Sequence, residues 1–154
     1  IYPPKLEAEW DDSSWATGSL SALQSTDLEN LKVYFKNLRP EYKEKSIVKF
    51  RVVGRELYPS SSFDATPGEL TIKYLPSASA YYSVRDAETE EVIVPFGSGS
   101  KISCDTTGNF FRVQLNGFQA ERNYRFCVKV VSGSGTSSEE INYFDDDFEF
   151  RVTR

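Results

Sequence analysis

The chain has no histidine and no methionine, and only two cysteines among its 154 residues. Without histidine there is no Ser-His-Asp triad, no general base of the usual kind near neutral pH, and none of the commonest zinc ligand. Two separated cysteines, Cys104 and Cys127, cannot complete a structural zinc site either. No apolar stretch approaches the roughly 20 residues that cross a bilayer, and the start lacks the charged-then-apolar layout of a signal peptide. Acidic residues outnumber basic ones, 23 to 18, for a formal charge of −5. That balance argues against a nucleic-acid or anionic-membrane partner, since both need clustered Lys and Arg to offset phosphate repulsion. The expectation is a non-enzymatic chain with no cofactor, metal, small-molecule substrate, nucleic acid or membrane as partner. Because it begins at Ile1 without Met, it is read as a piece of a longer polypeptide, with a processed product as the other reading.

What is abundant is aromatic: eleven Phe, nine Tyr and two Trp, set among Val and Thr, a mixture that suits pleated, half-buried surfaces. The length fits one domain able to bury a core without staples. From Leu31 apolar residues alternate with polar ones. Leu31, Val33 and Phe35 form one such set, then Val48, Phe50 and Val52, then Leu70, Ile72 and Tyr74. Tyr81 to Arg85 and Val92 to Phe96 flank a polar loop as a hairpin. Ile102 to Asp105 is a short strand. Phe111, Val113 and Leu115 follow, then Tyr124 to Val130, then Phe148, Phe150 and Val152. About eight short strands without a long helix between them predict an all-β, antiparallel two-sheet sandwich over residues 28–154, with a barrel or jelly roll as the other solution.

Residues 1–27 lack strand alternation and hold both tryptophans. They read as an extended N-terminal arm docked on this domain or on a neighbouring chain, with Trp10 and Trp15 as candidate assembly contacts. A short helix is weakly signalled between Leu20 and Leu31.

Phe118 lies six positions before Tyr124 at the start of a strand, an arrangement that resembles the tyrosine corner of immunoglobulin-like and fibronectin type III domains. The alternative is an ordinary hairpin with a buried tyrosine, and Ala120 stands where such corners often have proline. Cys127 shares a strand face with Arg125 and Lys129, so its thiol points away from the core and two free thiols are expected. Glu88, Glu90 and Glu91, like Asp145, Asp146 and Asp147, are read as solvated turns. Calcium is the other use for the second group together with Glu139 and Glu140, although no EF-hand spacing is present. Gly97 to Lys101 lacks the pattern of a phosphate loop. Trp10, Trp15, Tyr81 and Tyr82 are weighed as a sugar-stacking platform against ordinary core packing, and adjacent tyrosines on a strand expose at most one ring on a given face.

Three segments resemble a family of virion proteins of T4-like and marine tailed bacteriophages. They are Arg55 to Pro59; Tyr81 to Asp86 running on to Pro95-Phe96; and Ile102 to Asp105 with Gly108 to Phe111 and Glu121 to Tyr124. The resemblance spans most of residues 28–154 and consists of framework positions. It implies a structural role in the head, neck, tail or baseplate, with other virion subunits as partners in a symmetric homo- or hetero-oligomer assembled in the host cytoplasm. The competing expectation is a surface binding or adhesion module that recognises glycan or a host receptor through end loops such as 86–90 and 132–147.

Overall fold

The computed structural model describes residues 10–23, 28–59, 72–76, 79–133, 137 and 139–154. The described residues form two sheets and no helix longer than a single 3-10 turn. The first sheet contains β1 (Ser21–Ala22), β2 (Leu31–Lys36), β4 (Ile47–Glu56), β5 (Lys73–Tyr74), β8 (Ser103–Asp105) and β9 (Gly108–Gln114). The second contains β3 (Glu41–Lys43), β6 (Ala80–Asp86), β7 (Val92–Val94), β10 (Arg122–Ser132), β11 (Glu140–Phe144) and β12 (Glu149–Thr153). All-β architecture in two sheets therefore stands.

Two long strands organise the sheets. β4 pairs antiparallel with β2 along one edge and with β9 along the other, and β9 continues the sheet to β8. β10 pairs with β6 from Tyr124 to Val130. Its opposite edge is shared, with β12 taking Arg122 to Arg125 and β11 taking Val128 to Ser132. The break between β11 and β12 falls at Asp145 to Asp147, where Asp147 turns the chain with φ +50°.

The facing sheets bury an aromatic core. Phe126 is fully buried, with ring centroids 4.6 Å from Phe50, 4.7 Å from Phe150, 5.1 Å from Phe35 and 5.3 Å from Phe111. Tyr82 of the second sheet stacks on Phe111 of the first at 4.0 Å. These offset and edge-on rings bury large apolar areas and lock the two inner faces in register.

Several expectations are corrected. Among the described residues there are twelve strands in place of about eight, because β1, β3 and β11 exist through pairing and carry no alternation of their own. Between Leu20 and Leu31 the described residues give strand β1 and one 3-10 turn, Leu28–Asn30, in place of a helix. The strand expected from Leu70 to Tyr74 is only Lys73–Tyr74 where described, and Leu70 falls outside the described residues. Glu140 to Phe144, expected as loop, is strand β11.

Cys104 and Cys127 are both free thiols. Cys127 lies on the outward face yet is buried, because Arg85 and Arg125 flank it and long cationic side chains cover apolar surface with their stems. Burial pushes its thiol pKa up, and that of Cys104 up to about 11, so neither favours the reactive thiolate.

The described part of the arm runs along the first sheet. Ala16 N–H donates to the Cys104 carbonyl, and Cys104 N–H to the Ser14 carbonyl, both at 2.9 Å. Trp15 packs edge-on against Tyr74, with centroids 5.9 Å apart. Past Gly18, whose φ of +59° turns the chain close against Thr106, the arm reaches β5 and pairs with it as β1. Covering the β8 edge in this way removes an open row of strand donors and acceptors.

Candidate functional site

Tyr124 stands at the start of β10 with its ring buried. Its hydroxyl accepts from the Gln119 N–H at 2.8 Å and donates to the Gln119 carbonyl at 3.2 Å, while Phe118 meets the ring edge-on at 4.9 Å. The arrangement ties the connection between sheets to the strand that follows, and its role is mechanical. Tyr124→Phe is expected to lower stability by about 1 kcal/mol, the net worth of such a bond where the freed backbone can reach water. Urea unfolding measures it, and an unchanged midpoint would show that the hydroxyl holds nothing.

Neither acidic run converges on a point. Glu90 pairs with Arg125, Asp145 lies 3.7 Å from that same guanidinium, and Asp146 pairs with Lys32 on β2. These carboxylates answer cations on separate elements. Among the described residues no three His, Cys, Asp or Glu side chains gather as metal ligands would.

Asp86 is the carboxylate that the sequence did not single out. It is buried at the end of β6, accepts from the N–H groups of Glu88 (2.9 Å) and Thr89 (3.0 Å), and pairs with Arg122 at 2.7 Å. The two backbone donors, then Arg122, hold its carboxyl at about 2, below the ordinary 3.8. Asp followed at two and three residues by turn donors is the available sequence signal. Since the folded value is the lower one, its contribution is fully present above pH 3.8 and is lost as pH falls toward 2. Asp86→Asn should therefore flatten the fall in denaturation midpoint across that window. A variant with the parent's acid profile would show that other groups carry it.

Among the described residues, a depression with unspent polar capacity lies at the seam between the sheets. There the arm, the end of β7 and the Gly97 to Ser100 turn meet β9 around a cleft of about 250 Å³. A smaller lobe of about 80 Å³ adjoins it and shares Asp12, Tyr82 and Arg112. Trp10 lines the cleft and is 67% exposed, whereas Trp15 is half-buried against Tyr74. The two candidate assembly contacts thus differ in availability.

Each wall has a reason for its place. Ser100 is buried and closes its turn through its hydroxyl, which accepts from Gly97 N–H at 2.8 Å. Asp11 pairs with Lys101 at 2.6 Å and also accepts from Ser13, which fixes the arm over the turn and holds the Asp11 carboxyl at about 2. Arg112 projects from β9 with its guanidinium 5.8 Å from the Phe110 ring centroid. Burial, with the Asp12 carboxylate adding to it, pushes the Tyr82 hydroxyl up to about 12, so it remains a hydrogen-bond donor. Among the described residues no hydrogen bond or ion pair uses the side chains of Asp12, Tyr82 or Arg112. Tyr81, the neighbour of Tyr82, faces outward, where Lys129 lies 4.8 Å from its ring. The paired tyrosines do not form one platform. In comparisons with protein-family models, curated proteins and solved structures, none matches this chain.

Proposed function

We propose that this chain is a non-enzymatic, immunoglobulin-like module of a tailed-bacteriophage particle, acting through contacts with other virion subunits. The order in which strands change sheet supports the immunoglobulin-like part: β4 lies in the first sheet, β6 and β7 in the second, β9 in the first, and β10 in the second again. The Tyr124 corner is in keeping with it. The observation that carries the contact role is the outward side of the second sheet. Ile141 and Tyr143 are about half exposed, at 46% and 56%, and Tyr143 meets Phe96 at 5.8 Å. Val92 and Ile93 add exposed apolar surface on the edge strand β7. Exposed apolar side chains gathered on one strand face of a charged chain, as Ile141 and Tyr143 are, favour a protein contact. The framework resemblance supplies the particle as the setting.

Particle composition is the test. Mass spectrometry of purified particles from a phage encoding the chain should find it at a regular copy number, and its absence would overturn the reading. A chain lacking residues 1–27 should fold and fail to enter particles; one that still assembles would leave the arm without a role in assembly.

A second reading, a surface module that binds glycan, is favoured by a separate observation, the Trp10 cleft. The end loops 86–90 and 132–147 offer less, because Asp86 and Glu90 are engaged with Arg122 and Arg125.

A further inference from the structure

Three side chains of different hydrogen-bonding character line one cleft, and among the described residues none of them has a hydrogen-bond or ion-pair partner. Asp12 offers only acceptors, Arg112 only donors, and the Tyr82 hydroxyl can do both. Tyr82 is 7% exposed, with its ring stacked on Phe111, and it lines the cleft with its hydroxyl unbonded among the described residues. Beside them an exposed indole provides a flat apolar surface. At about 250 Å³ the cleft falls below the roughly 300–1,000 Å³ that engulfs a drug-sized ligand, so it suits one small ring.

The charges of Asp12 and Arg112 oppose one another without pairing, so an anion meets repulsion from the first and a cation from the second. A neutral ligand that both donates and accepts meets neither. A pyranose ring has that chemistry: hydroxyls around its rim, and a face of C–H groups that lies flat on an aromatic ring. We propose that the Trp10 cleft binds a terminal neutral hexopyranose of a glycan, the sugar face on Trp10 and its hydroxyls bridging Asp12, Arg112 and Tyr82. This rests on the glycan reading and moves the contact from the end loops to the seam between the sheets.

The full chain is tested on a glycan array and, by saturation-transfer NMR, with the methyl glycosides of glucose, galactose and mannose. Signals from neutral hexose-terminated glycans are expected, with single sugars binding in the millimolar range. Trp10→Ala, which removes an exposed side chain, should weaken binding roughly tenfold or more with an unchanged circular dichroism spectrum. Arg112→Gln should weaken it while leaving the indole contact in place. Binding that survives both changes and is lost on altering residues 86–90 would overturn the cleft and leave the glycan reading standing. Binding restricted to acidic glycans would overturn the neutral ligand. No binding to any glycan would overturn both.

Discussion

Phe126→Ala is expected to cost about 3–5 kcal/mol, the range for removing a large buried ring. Domains of this size have about 5–15 kcal/mol in all, so the variant should be partly unfolded at modest temperature. The reason lies in the neighbours. Phe35, Phe50, Phe111 and Phe150 all have ring centroids within 4.6–5.3 Å of Phe126, and they come from strands of both sheets. Stiff rings fixed by two paired sheets cannot close over the space, so cavity loss adds to transfer loss. Phe126→Leu should cost less, because part of the volume remains. Guanidinium unfolding of the two variants separates the terms, and equal midpoints for alanine and leucine would show a core that collapses freely.

Asn109→Ala should cost about 2–4 kcal/mol through stranded hydrogen bonds, with little contribution from volume. Asn109 is 1% exposed at the start of β9. Its side-chain oxygen accepts from the Leu75 N–H at 2.8 Å, and its amide nitrogen donates to the Ser103 carbonyl at 3.3 Å. One side chain thus ties the 72–76 segment to the paired strands β8 and β9. Asn109→Asp is the sharper probe. Near pH 7 it sets an unpaired carboxylate against the Ser103 carbonyl, which raises the folded-state pKa of the introduced group. The protonated form then suits the folded state better, so the deficit should shrink as pH falls and grow as pH rises. A deficit independent of pH would mean that the carboxylate has found water or a cation.

The segments that could be read in the sequence are those whose alternation is strong and whose faces differ. β4, β6, β9 and β10 each carry an alternating set that faces the core: Phe50 and Val52, Tyr82 and Val84, Phe111 and Val113, Phe126 and Val128. β3 could not be found that way: three residues, Glu41–Lys43, become a strand because Arg151 to Thr153 of β12 lie beside them. β11 hid for the opposite reason, since its apolar Ile141 and Tyr143 point outward and Asn142 occupies the other face. The face of Cys127 was correctly read, yet its burial depends on Arg85 and Arg125, which alternation does not register. Trp10 was marked as a contact residue, but its neighbours in the cleft, Tyr82 and Arg112, come from distant strands and share no local motif with it. Long-range pairing and side-chain reach decided these cases.

The pairing of the arm with β8 also makes a clock for its own departure. The amide proton of Cys104 is held by the Ser14 carbonyl, so it exchanges with solvent deuterium only when residues 14–16 lift away or the whole domain opens. Amides within the β4–β9 ladder exchange only by the second route. The ratio of the two rates reports how often the bare edge of β8 is on offer to another strand.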